Sequence, residues 1–187
     1  GNQNLKAAGV QVEFTQEQVQ EYIKVATNTK YFIKNYTKIV SVDEGLIPFA
    51  TWEFQDEMLD TFEKNRFSIC KLPRQVGKTT TVGAYLLWKI LFTEDYNIAI
   101  LANKRSQAIE ILGRIQLMYE HLPKWMQQGV LEWNKASLRL ENGSEIIASS
   151  TSPSAIRGTS QNLIYLDEFA FVPNNIQEEF FTSVFPT

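Results

Sequence analysis

Leu72-Pro73-Arg74-Gln75-Val76-Gly77-Lys78-Thr79 closes an apolar run that begins at Phe67, and far downstream the chain reads Asn162-Leu163-Ile164-Tyr165-Leu166-Asp167-Glu168. A Gly-Lys-Thr turn after one apolar strand, with a second apolar strand ending in Asp-Glu, supplies what a nucleoside-triphosphatase needs. The backbone N–H groups of Arg74, Gln75, Val76, Gly77, Lys78, Thr79 and Thr80 would cradle phosphate oxygens. Lys78 would reach the β- and γ-phosphates, and the Thr79 hydroxyl would hold Mg²⁺. Asp167 is expected on the same metal through water, and Glu168 is placed to orient or deprotonate the attacking water. The loop departs from G-x-x-x-x-G-K-[ST] in one respect: Leu72 stands where the first glycine would be. The two stretches together predict a chain that binds ATP and hydrolyses it.

Working outward, Phe67 to Leu72 is expected to be a short strand feeding the phosphate turn, with Cys70 buried inside it. Thr79 to Phe92 reads as a helix that is apolar on nearly every side, hence buried. Asn97 to Ala102 is a strand, and Ser106 to about His121 an amphipathic helix. Leu138 to Ile147 alternates around Asn142-Gly143, a strong hairpin signal. Leu163 to Leu166 is the last strand, and Ile176 to Phe185 a final helix. Upstream, Thr15-Gln16-Glu17-Gln18 is a capping box that opens a helix running to about Asn35. Residues 1–14 read as an arm. Gly45 and Pro48 break a loop, and Thr51 caps a helix through about Lys64. Strands alternating with helices imply an α/β fold with a mainly parallel sheet flanked by helices. The expected organisation is an N-terminal helical arm or subdomain over residues 1–50, packed on an ATPase core over 51–187.

Composition bounds the alternatives. With 187 residues, 44% of them hydrophobic, the chain can bury one sizeable core. The single cysteine excludes an internal disulfide framework. No apolar run approaches the ~18 residues of a membrane span. A net charge of −3 gives no global reason to expect a polyanionic partner.

The residues also carry a family resemblance. Arg74-Gln75-Val76-Gly77-Lys78-Thr79-Thr80, with a basic residue inside the loop, resembles the deviant Walker A motif of large terminase subunits, the packaging motors of tailed bacteriophages. Leu163-Ile164-Tyr165-Leu166-Asp167-Glu168-Phe169-Ala170-Phe171 resembles their Walker B motif. Tyr31 to Tyr36 and Asp43 to Phe49 are similar to the T-even-like branch. The resemblance implies an additional-strand, conserved-glutamate (ASCE) P-loop NTPase fold of the RecA- and helicase-related class. It also implies ATP and Mg²⁺ as ligands, and viral double-stranded DNA, the portal ring of the procapsid and a small terminase subunit as partners. Self-assembly into a ring on the portal, in the host cytoplasm, would follow. Family members continue into a Thr-rich coupling strand and a ribonuclease-H-like nuclease; neither is in this sequence, so the expectation is a fragment with weak turnover.

Under that resemblance three further residues gain roles. Arg74 would point at the γ-phosphate as a cis arginine finger, and Arg157 would reach the ATP of a neighbouring subunit. Gln55, in Trp52-Glu53-Phe54-Gln55, would read adenine, because an amide donates and accepts at once and so matches adenine N6 and N7. Trp52 and Phe54 are expected in the core. Lys104-Arg105 suits either a phosphate contact or a polar helix start, and His121 a structural role. Two other readings compete: a helicase- or restriction-type translocase, and a nucleotide-binding module without turnover. Asp167-Glu168-Phe169-Ala170 lacks the Asp-Glu-x-His or Asp-Glu-x-Asp continuation of helicases, which favours the terminase.

Overall fold

A computed structural model of the chain describes residues 1–152, 154–156 and 159–184. The N-terminal arm is tied down where Ala7 bridges Val130, and the Val130 N–H donates to the Lys6 carbonyl at 2.9 Å. Helix α1 (Gln16–Thr27) opens at the expected capping box. The Thr15 hydroxyl accepts from the Gln18 N–H at 3.2 Å, and Gln18 Oε1 accepts from the Thr15 N–H at 3.0 Å. The helix does not run on to Asn35. Asn28 breaks it, because its side chain accepts the Tyr31 N–H at 2.9 Å and starts α2 (Thr29–Tyr36). A short polar side chain that offers the backbone a local acceptor stops a helix as readily as it starts one.

A hairpin absent from the sequence reading follows, β1 (Lys38–Ser41) with β2 (Gly45–Pro48), turned at Gly45 with φ of 74°. Helix α3 (Glu53–Lys64) begins one residue later than expected. Trp52 is its N-cap, and the Thr51 hydroxyl instead donates to Asp56 Oδ1 at 2.8 Å. Trp52 is 72% exposed, so it is not a core residue, whereas Phe54 packs against the core. Then come α4 (Lys78–Phe92), β3 (Asn97–Ala102), α5 (Arg105–Glu120), β4 (Val130–Trp133), β5 (Ser137–Leu140) and β6 (Glu145–Ser150). The chain continues through β7 (Leu163–Asp167), one 3-10 turn (Phe169–Phe171) and α6 (Asn174–Val184).

The large sheet has the order β4-β5-β6-β3-β7. It is mixed: β3 runs parallel to both β6 and β7, while β5 is antiparallel to β4 and β6. The β5–β6 turn lies where Asn142-Gly143 predicts it. Gly143 adopts φ of 84°, and a Cβ there would lie 2.0 Å from Asp95 Oδ1. Alternation along β3 sorts the core into two layers, since successive side chains of a strand face opposite ways. Ile98, Ile100 and Ala102 join α4 and α5 in the main cluster. Ala99 and Leu101 meet Ile156 and Phe180 of α6 on the other face. Val25, Phe32 and Ile33 of the first two helices share the main cluster.

Helix α4 is the centre of that cluster, buried from Thr81 through Leu87 and again at Ile90 and Leu91. Leu86→Ala is therefore expected to cost about 2–5 kcal/mol of unfolding free energy, the range for deleting a fully buried leucine side chain. Urea titration followed by circular dichroism checks this. A loss below about 1 kcal/mol would mean that α4 is not central to the core.

One expected element is absent. Residues 67–72 belong to neither sheet. Ile69 is 98% exposed, and Cys70 is exposed rather than buried packing. An apolar run becomes a strand only when a neighbouring strand takes up its backbone groups. The large sheet ends at β7, which pairs on one edge with β3.

Candidate active site: the phosphate loop and the Asp-Glu strand

The loop before α4 has the backbone that a phosphate cradle requires. Gly77 is the N-cap of α4 and adopts the left-handed conformation, φ 75° and ψ 19°. Gln75 is also left-handed, with φ of 61°. Gly77 carries no side chain to cap the helix, so the first-turn N–H groups of α4, which lack intrahelical acceptors, are left for an outside anion. A Cβ at Gly77 would lie 2.8 Å from Gln55 Nε2. Its φ is what favours glycine there, and any side chain would also have to displace the Gln55 amide.

Gln55 is buried and tied to the loop. Its Oε1 accepts the Trp52 N–H at 2.8 Å, and its Nε2 lies 3.5 Å from the Val76 and Gly77 carbonyl oxygens. Gln55 is thus not an exposed residue of α3. Thr80 receives a donor from α5, Arg114 Nη1 at 3.4 Å from its Oγ1. The Thr81 hydroxyl closes the first turn by donating to the Gly77 carbonyl at 2.9 Å.

The Asp-Glu strand meets the loop through one side chain. Tyr165 and Asp167 are two apart on β7 and so share a face. The Tyr165 hydroxyl donates to Asp167 Oδ1 at 2.8 Å, and the Thr79 side chain lies close to the same phenol. Burial, and next the Asp167 carboxylate, push the Tyr165 phenol well above the usual tyrosine range. Asp167 pairs with Ala102 at the carboxyl end of β3, and Ala102 pairs on its other side with Ser150 of β6. The carboxyl ends of three parallel strands therefore converge beside the loop, where open α/β sheets place ligands. Asn103, Lys104 and Arg105 leave β3 at the same end, with the Lys104 N–H donating to Gln107 Oε1 at 3.2 Å as α5 begins.

Glu168 follows directly in the left-handed conformation, φ 49° and ψ 40°, and its carbonyl accepts the Phe171 N–H at 3.0 Å. The turn it starts presents Phe171 to the loop, and the Arg74 guanidinium lies 5.8 Å from the Phe171 ring centroid. Arg157 lies outside the described residues. His121 ends α5 with its Nδ1 2.8 Å from the Leu117 carbonyl, a helix-end contact in keeping with a structural role.

The donor set suits magnesium. Among the described residues no group of three or more His, Cys, Asp or Glu forms a metal cage. Mg²⁺ rarely uses such cages; it takes one or two protein oxygens and completes its shell with phosphates and water. Thr79 and Asp167, both beside one phenol, offer such a pair.

Tyr165 and Phe171 were not among the residues singled out from sequence. The strand period could have found Tyr165, because any side chain two before Asp167 must face the same way. No sequence signal pairs Arg74 with Phe171.

Known proteins bear on this geometry. The family described as terminase large subunit, T4likevirus-type, N-terminal, matches residues 69–184. The tripartite terminase subunit 3 of human herpesvirus 8 type P (isolate GK18) is 26% identical over 133 residues, 66% of this chain and 18% of that protein. The subunit of the same name from saimiriine herpesvirus 2 (strain 11) is 27% identical over 136 residues, 66% of this chain and 19% of that protein. The chain thus spans about a fifth of the length of these relatives. Among solved structures, the HK97 bacteriophage large terminase superposes with a TM-score of 0.68 at 21% identity, covering 87% of this chain and 35% of that one. A point variant of the ATPase domain of a Thermus phage large terminase gives 0.62 at 19% identity, covering 74% of this chain and 62% of that one. The fold is the α/β P-loop ATPase fold of large terminases, with a mixed sheet flanked by helices. The T4likevirus-type match spans more than half of the sequence, and the chain belongs to the terminase large subunit family, in its N-terminal part.

Proposed function

We propose that this chain is the ATP-hydrolysing part of a motor that packages viral double-stranded DNA into a procapsid. The observation that carries the reading is the meeting of Thr79 and Asp167 at the Tyr165 phenol, which joins the phosphate loop to the Asp-Glu strand. In this reading Lys78 and the loop N–H groups bind the triphosphate, and Thr79 and Asp167 hold Mg²⁺. Bound Mg²⁺ neutralises charge on the β- and γ-phosphates. Glu168 accepts a proton from the attacking water, and Arg74 stabilises charge on the γ-phosphate from within its own subunit. Arg157 serves a neighbouring subunit's site. Gln55 links adenine to the loop carbonyls that it already faces. Residues 1–50 act as a helical subdomain on a core of 51–187.

The partners belong to the same proposal: double-stranded DNA, the portal ring, a small terminase subunit, and further copies arranged as a ring in the host cytoplasm. None of the described helices is long and apolar enough to cross a membrane.

Calorimetric titration of the protein with Mg²⁺·ATP tests the site. Lys78→Ala is expected to weaken binding by at least about tenfold, the scale of one charge-assisted hydrogen bond lost to a phosphate. Unchanged affinity would remove the phosphate-loop assignment, and with it the proposed activity.

A further inference from the structure

We propose that Tyr165 is a positioning residue for Mg²⁺, holding the Asp167 carboxylate and the Thr79 side chain in the arrangement that a metal-bound nucleotide needs. This rests on the reading of the site given above and adds to it a residue that touches neither nucleotide nor metal.

The geometry makes the case. Thr79 lies in the first turn of α4, and Asp167 is the last residue of β7. These two elements share no backbone ladder, since β7 pairs with β3. One phenol stands in the gap, donating to Asp167 Oδ1 at 2.8 Å with the Thr79 side chain close by. An ionised carboxylate has two oxygens and about four acceptor sites, so Oδ1 can keep its bond to Tyr165 while Oδ2 remains for the metal or its water. Pinning one oxygen fixes the plane of the carboxylate, a torsion that is otherwise broad. A phenylalanine there would fill the same space and leave Asp167 and Thr79 to orient separately. Partners that orient metal ligands in this way typically change metal affinity by about 10–100-fold when removed.

The test is nucleotide binding as a function of Mg²⁺ concentration, with binding in excess EDTA as the metal-free reference. Tyr165→Phe is expected to raise the Mg²⁺ concentration needed for half-maximal strengthening of ATP binding by about tenfold. Metal-free binding should stay within about twofold, because the loop N–H groups and Lys78 are untouched. On an Asp167→Asn background the same change should have little further effect, since the two residues act as a unit. Tyr165→Met, which also lacks the oxygen, replaces the phenylalanine variant should that one fail to melt cooperatively. A merely structural tyrosine would lower the melting temperature and leave the Mg²⁺ dependence unchanged. That outcome, or an equal loss with and without metal, would overturn the proposal. A wild-type protein that binds no nucleotide at all would instead overturn the reading of the site itself.

Discussion

Glu168→Gln is expected to leave Mg²⁺·ATP affinity close to wild type and to slow single-turnover hydrolysis by about 10²–10⁴-fold, the usual contribution of a positioned general base. The argument starts from placement. Glu168 is the first residue past β7, and its left-handed backbone turns the chain sharply away from Asp167. Adjacent carboxylates on a straight strand would point to opposite faces; the left-handed turn would let Glu168 take a direction, and a task, of its own. Holding a residue with a side chain in that conformation costs about 1–3 kcal/mol, a strain found most often at functional sites. Glutamine has the same shape and would tolerate the same backbone, so binding and folding should survive. Only the ability to accept a proton is lost. Hydrolysis with protein in excess over labelled ATP reads the chemical step, and calorimetry reads affinity. A variant with near-native turnover would show that another carboxylate is the base.

The parts of the site that could be read from sequence are those in which chemistry fixes residue types at short spacing. Gly77-Lys78-Thr79 and Asp167-Glu168 could be proposed without tertiary information, because loop amides, an ammonium, a hydroxyl and two carboxylates suit a triphosphate and a cation. Asn142-Gly143 was legible for a related reason: the turn demands a positive φ that glycine supplies. Phe67–Leu72 was misread because apolarity states what a segment would bury, whereas becoming a strand depends on what lies beside it. With Ile69 98% exposed, burial did not follow from composition. The break at Asn28 was missed because Val19, Tyr22, Ile23 and Ala26 keep helical spacing up to it and Tyr31 to Ile33 are again apolar. One side-chain bond to the Tyr31 N–H outweighed that periodicity. The β1–β2 hairpin was hidden behind Gly45 and Pro48, read as loop breakers although one turns the hairpin and the other ends a strand. Trp52 was placed in the core by residue type, but it caps α3 and stays 72% exposed. Tyr165 differs from these. Its period-two relation to Asp167 was visible, and the missing information was that Thr79 of α4 comes within its reach.

Arg74→Ala is expected to slow single-turnover hydrolysis by about 10³–10⁵-fold, the range for removing an arginine finger, and to do so in dilute monomer. The Arg74 guanidinium lies near the Phe171 ring, 5.8 Å from its centroid. Phe171 is well exposed, and an exposed cation–π contact is worth about 0.5–1 kcal/mol. A hydrogen bond from guanidinium to a charged phosphate is worth about 1.5–3 kcal/mol. On these magnitudes a γ-phosphate would be expected to outcompete the Phe171 ring for the Arg74 guanidinium. Because Arg74 is in the same loop as Lys78, its charge would serve its own site however many subunits are present. Wild-type partners should then fail to rescue the defect. Arg157 makes the contrasting case. If it acts between subunits, mixing Arg157→Ala with Glu168→Gln protein should restore part of the activity, as the intact arginine of one completes the intact site of the other. A monomeric Arg74→Ala protein with a normal single-turnover rate would remove the cis finger and leave Arg157 to supply that charge across a subunit boundary.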